Sequence, residues 1–248
     1  MAGLCVFADL DGSLFQTLPK CSGNALGTPV PAAEARDGSC NSFMTEGQEL
    51  LFKALKAAGA VVPATARDLE SFRRVKLPFT DGAILDFGGL ILGPDGKADE
   101  EWLEGSASRA RDAAPMLERA LEISARASGK LRSDARARLV GDMGAVFYMV
   151  AKSPSRDLGA LGLLKSELES ELAGEARIWM NGNNLAVLPP FLDKGPAVAR
   201  FMDRHLPWPR GETLALGLGD SASDLGFLEL CDFRMFPSAS QLGAGGPK

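Results

Sequence analysis

Histidine is nearly missing from this chain: His205, in the context HLPWP, is the only one. That sets aside Ser-His-Asp and Cys-His nucleophile systems and histidine-rich metal sites. His205 itself reads as a surface or packing residue. Cysteine is sparse too. Cys5, Cys21, Cys40 and Cys231 form no C-x-x-C or Cys/His pattern, so they read as reduced thiols and not as a zinc site. A basic excess is lacking, since the formal net charge is −5, which argues against nucleic acid as a partner. Long apolar runs are lacking as well. The N-terminal run is interrupted by Asp9 and Asp11 and carries no basic flank, so neither a signal peptide nor a membrane span is expected. These absences together predict a cytoplasmic protein without a membrane partner.

What is present is an ordinary globular composition, 46% hydrophobic and 24% charged, over 248 residues. That length suits one large domain or a core carrying an insertion. Residues 3–8, GLCVFA, predict a strand buried on both faces, with the acidic DLDGS at its end. Residues 19–41 are rich in Gly, Pro, Ser and Ala and read as a long loop. Thr45 and Gln48 spell a capping box before a helix whose Leu50, Leu51, Leu55 and Ala58 recur at helical spacing. AVVPAT, ending at Thr65, is the next strand and completes a parallel βαβ unit. GAILDFGGLIL, residues 82–92, contains a third strand-like run.

Between residues 100 and 180 the pattern changes. AAPMLERALEISARA and LGALGLLKSELESELAG predict helices, and VFYMVAK and RIWM predict strands. Met143, Met149 and Met180 are expected in the core of this part. The α/β rhythm is then read as resuming with LAVLPP, followed by a helix over 194–204, the strand LALGLG, a last helix and DFRMF. The predicted fold class is α/β: a Rossmann-like parallel-sheet core, residues 1–85 and 187–248, with an inserted α+β cap domain over residues 86–186.

Four polar segments fall where core strands would finish, the edge at which open parallel sheets bind ligands. They are Asp9-Leu10-Asp11-Gly12-Ser13, Thr65-Ala66-Arg67-Asp68, Asp193-Lys194-Gly195 and Gly219-Asp220-Ser221-Ala222-Ser223-Asp224. Gathering Asp9, Asp11, Asp220 and Asp224 in one place is costly unless a hard cation neutralises them. Mg²⁺ suits an all-oxygen donor set and keeps positions open for water and phosphate. Each segment alone has a plain structural reading: an acidic turn, a strand-end hydroxyl, a surface lysine, a helix cap. Their joint occurrence, in order and each after an apolar run, points to one site.

These four segments resemble motifs one to four of the haloacid dehalogenase-like phosphatases. The insertion between the second and third resembles the type-two cap. NLAVLPPFLDKGPAV resembles the approach to the lysine in the branch containing sucrose-phosphate and mannosylglycerate-phosphate phosphatases and the phosphomannomutases. The resemblance implies that Asp9 attacks phosphorus, that Asp11 protonates the leaving alcohol, and that Thr65 and Lys194 stabilise the phosphoryl group. It implies Mg²⁺ held by Asp9, the backbone carbonyl of Asp11, Asp220 and Asp224. Gly12, Ala66 and Arg67 would contact a small phosphorylated metabolite, most simply a sugar phosphate. Asn181, Asn183 and Asn184 read chemically as a hairpin tip; as part of a cap they would meet sugar hydroxyls. The Arg-rich RSDARAR near residues 132–138 reads as a solvated face or an anion contact. Two departures stand out: Ser13 where the family usually has Thr, and a segment after Phe15 bulkier than the usual short flap. Two other readings stay open. A phosphomutase would retain an activated phosphosugar, and a receiver-like module would accept phosphate without turnover.

Overall fold

The computed structural model describes residues 3–21 and 27–243. It divides into two compact units, residues 1–99 with 193–248, and residues 100–192. The sequence alone suggested these divisions at 85/86 and 186/187.

The first unit begins with β1 (Gly3–Ala8) and a one-turn helix α1 (Leu18–Cys21). Next come β2 (Val30–Glu34), β3 (Cys40–Met44), α2 (Glu46–Ala58), β4 (Ala60–Pro63) and α3 (Leu69–Phe72). The hairpin β5 (Ala83–Leu85) and β6 (Leu90–Leu92) ends this part. The second unit holds α4 (Glu100–Leu131), β7 (Arg136–Asp142), β8 (Ala145–Lys152), α5 (Leu158–Leu172), β9 (Arg177–Asn181) and β10 (Asn184–Leu188). The first unit then resumes with α6 (Lys194–Arg204), β11 (Thr213–Leu218), α7 (Leu225–Leu228) and β12 (Phe233–Met235).

The first unit is a parallel sheet in the order β12-β11-β1-β4, so the α/β core is as expected. β1 is central because its apolar run can be covered on both faces; Cys5 to Ala8 are fully buried. α2 starts at the expected capping box, with Thr45 Oγ1 accepting from the Gln48 amide and Gln48 Oε1 accepting from the Thr45 amide. It packs Phe52 and Leu55 into the cluster with Val6, Val61 and Leu218. The lone histidine has a partner: His205 Nε2 lies 2.9 Å from Asp99 Oδ2, and Arg200 grips the same carboxylate through two nitrogens.

Several sequence expectations need correction. Residues 19–41 are not simply a loop: β2 and β3 pair as an antiparallel ribbon, with residues 22–26 outside the described part. Short strands with irregular register leave little alternation to read. The 82–92 run is two strands joined by a 3₁₀ turn at Asp86–Gly88, not one. LAVLPP does not resume the core. As β10 it pairs antiparallel with β8 and β9 in the second unit, whose sheet runs β7-β8-β10-β9. A buried apolar strand does not announce which sheet it joins. α4 spans 32 residues and includes Pro115, far beyond the stretch its periodicity marked. The second unit packs α4 and α5 on one sheet face around Leu117, Leu161, Leu168, Met149 and Val187, an α+β arrangement. Met180 joins that cluster from its margin, but Met143 stands 55% exposed in the β7–β8 turn. Arg136 and Arg138 lie exposed at the start of β7. No helix among the described residues is long and apolar enough to cross a membrane.

Candidate active site

β1, β4 and β11 run parallel and side by side, so the residues that follow them emerge at one edge of the sheet. Asp9 is the first residue past β1. Its amide still donates to Leu218 O at 2.8 Å, which fixes the backbone before the chain turns. The turn closes tightly, with Gly12 N donating to Phe15 O and Leu14 N to Leu10 O. It carries Ser13, whose hydroxyl donates to Asp9 Oδ2 at 3.3 Å.

Gly12 is required here twice over. Its φ of +107° favours glycine, and a Cβ would fall 2.2 Å from Asp220 Oδ2. That close approach presses the turn after β1 against the segment after β11.

Lys194 is the first residue of α6, whose N-terminus is capped by Asp193 accepting from the Gly195 amide at 2.7 Å. The cap aims Lys194 inward, and its side chain is 2% exposed. Nζ donates to Asp9 Oδ1 and to Asp224 Oδ1, both at 2.7 Å. The Phe87 and Phe227 rings flank the ammonium, with centroids at 5.9 and 5.8 Å. Asp224 is fully buried, and its other oxygen accepts from the amides of Asp220 and Ser221.

Oxygen atoms of Asp9, Asp220 and Asp224 all lie within 4.8 Å of one another. Burial pushes the Asp9 carboxyl up, Lys194 opposes that, and Asp224 and Asp220 add to it. For Lys194, burial works against the ammonium, yet Asp224 and Asp9 outweigh it and hold the group above its ordinary range. Three buried carboxylates against one ammonium leave an excess of negative charge in a dry place. The donors are all carboxylate oxygens, which fits a hard divalent cation such as Mg²⁺ and no soft metal.

Asp11 does not join the acids. Its carboxylate is gripped by Arg67, Nε to Oδ2 at 2.7 Å and Nη2 to Oδ1 at 2.8 Å. Thr65 is buried beyond β4, where its hydroxyl accepts from the Arg67 amide at 3.2 Å. Ala66 stands between them in the same turn. In the second unit, Asn181 and Asn184 face each other as the last pair of the β9–β10 hairpin. The Asn183 amide is committed to Ser153, accepting from its N–H and donating to its carbonyl.

Three participants escaped sequence reading as parts of one site. Phe87 and Phe227 are remote in sequence from Lys194, and nothing in their local context marks them. Ser42, whose hydroxyl accepts from Arg67 Nη2 at 3.4 Å, lies in β3, just past the stretch 19–41 that reads as loop.

No protein-family model and no curated protein matches the chain. Solved structures do. The sucrose-phosphatase of Synechocystis, determined with sucrose and phosphate, is 16% identical with a TM-score of 0.53 over 98% of this chain and 95% of that one. The C-terminal domain of Candida albicans trehalose-6-phosphate phosphatase is 14% identical with a TM-score of 0.54, covering 92% and 73%. A Thermoplasma acidophilum protein is 17% identical with a TM-score of 0.54, covering 97% and 86%. At such identities the likeness is one of fold.

Proposed function

We propose that this chain is a magnesium-dependent phosphohydrolase that cleaves a phosphate monoester, most simply a sugar phosphate, through an aspartyl-phosphate on Asp9. The observation that carries this reading is the buried constellation of Asp9, Lys194, Asp220 and Asp224 at the open edge of a parallel sheet. A carboxylate held there by a lysine and a serine hydroxyl is a fixed nucleophile, not a surface acid. The sugar-phosphatase folds named above support the substrate class.

Mg²⁺ would be held by Asp9, Asp220 and the Asp11 backbone carbonyl, with Asp224 ligating directly or through water. It would neutralise the acids and the phosphate so that two anions can approach. Asp9 forms a bond to phosphorus as the bond from phosphorus to the alcohol oxygen breaks, and Asp11 gives that oxygen its proton. Water then attacks phosphorus as the bond from phosphorus to the Asp9 oxygen breaks, Asp11 takes up a proton from that water, and inorganic phosphate leaves with the Asp9 carboxylate restored. Lys194 and the Thr65 hydroxyl counter charge on the phosphoryl oxygens. The inserted unit serves as a cap, where Asn181 and Asn184 are the candidates for sugar hydroxyls. Four free thiols suit work in the cytoplasm.

The test is phosphate release from a panel of sugar phosphates with Mg²⁺ present, using wild type and Asp9→Asn. Release without a bisphosphate activator separates hydrolysis from mutase chemistry. Turnover by Asp9→Asn, or no release from any ester, defeats the reading.

A further inference from the structure

The Arg67 guanidinium is held on every side. Nε and Nη2 take both Asp11 oxygens, Nη1 donates to Ser71 O at 3.3 Å, and Nη2 also donates to Ser42 Oγ. Its Cζ lies over the Phe15 ring, 5.0 Å from the centroid. The two partners differ in exposure: the Arg67 side chain is 13% exposed and that of Asp11 is 52%. The arginine is therefore the fixed member, and the aspartate is the one that would otherwise swing through its rotamers in water. A planar fork meeting a carboxylate through two bonds fixes direction as well as distance, which a single point charge cannot do.

Ser42 belongs to β3 of the β2–β3 ribbon, and it is buried. The ribbon is tied to the turn that carries Asp11 through reciprocal backbone bonds between Gln16 and Phe43, at 2.9 and 2.7 Å. It is tied to the segment after Arg67 through Lys76 N donating to Ala32 O. Asp11, Arg67 and Ser42 thus form a chain from the acid to the ribbon.

We infer that Arg67 is a positioning residue that sets where the Asp11 carboxyl stands against the leaving alcohol, and that Ser42 of the β2–β3 ribbon holds Arg67 for that task. The inference rests on the hydrolytic reading above, in which Asp11 handles the proton. It makes the β2–β3 ribbon part of the acid–base machinery.

Leaving-group dependence tests it. An alkoxide departs only when protonated, whereas p-nitrophenolate departs without help. The constant to compare is kcat/KM, because it reports events up to phosphoryl transfer to Asp9 and is blind to later hydrolysis. Arg67→Ala should lower kcat/KM for glycerol phosphate at least about tenfold more than for p-nitrophenyl phosphate, since a well-placed acid is worth roughly 10²–10⁴. Arg67→Lys should restore less than half of that selective loss, because an ammonium cannot take both oxygens. Ser42→Ala should shift the same ratio in the same direction by about twofold to fivefold. Equal losses on both esters in Arg67→Ala and Arg67→Lys, in protein that still unfolds cooperatively, overturn the inference while leaving the hydrolase standing. If wild type hydrolyses neither ester, the hydrolytic reading falls and takes this inference with it.

Discussion

Lys194 and Asp9, 185 positions apart in the chain, meet through a 2.7 Å hydrogen bond between two side chains that are almost wholly buried. The same ammonium meets Asp224 at the same distance, so one cation compensates two interior carboxylates. Replacing Lys194 by Met keeps much of the volume and leaves both carboxylates uncompensated. In metal-free buffer, Lys194→Met should cost about 3–5 kcal/mol in urea denaturation. Turnover should fall by roughly 10²–10³ when Mg²⁺ is supplied. An unchanged denaturation midpoint would show that the carboxylates do not depend on this lysine.

The Asp9 carboxyl is pushed above its ordinary range by burial, helped by Asp224 and Asp220 and opposed by Lys194. Folding therefore favours its protonated form. That contribution to stability is complete below the ordinary carboxylate range and is lost as pH rises through the raised value. Asp9→Asn removes the titration. Without metal, the Tm advantage of Asp9→Asn over wild type should widen as pH climbs from about 4 towards neutrality. A gap that stays constant, or narrows, contradicts the direction assigned to Asp9.

Excess negative charge at the site predicts tight coupling between metal and stability. EDTA should abolish turnover and Mg²⁺ should restore it. At a hundredfold excess over Kd, Mg²⁺ should add about 2.7 kcal/mol to wild type. Asp220→Asn should lose most of that gain, read as a thermal shift. Equal shifts in both proteins would place the ion elsewhere.

Gly12 has no room for a side chain. Gly12→Ala puts a methyl group into the Asp220 carboxylate at a backbone angle that alanine resists. We expect a loss of about 1–3 kcal/mol of stability. The Mg²⁺-induced thermal shift should shrink with it, because Asp220 must move aside. Retention of both would mean that the turn relaxes without disturbing the acids.

Much of this molecule is legible in its residues because local chemistry decides it. An uninterrupted apolar run such as GLCVFA suits a strand covered on both faces, and T-x-x-Q before a helical stripe suits the start of a helix, and both form as those patterns suggest. Acids placed after such runs share a sheet edge once the strands run parallel, which brings Asp9, Asp220 and Asp224 together, whereas Lys194 reaches them from the first turn of α6 and not from the end of a core strand. Tertiary structure alone decided the rest. LAVLPP has the same apolar pattern wherever it pairs, and only the hydrogen bonds of β8 and β9 place it in the second unit. The ribbon at residues 30–44 is built by pairing across a gap, which no local periodicity encodes. Asp11 looked like one acid among four, yet its side chain turns to Arg67, because a guanidinium within reach offers more than a crowd of like charges. Sequence sets which groups can do chemistry; the folded chain sets which of them face one another, since that depends on distances between residues far apart along it.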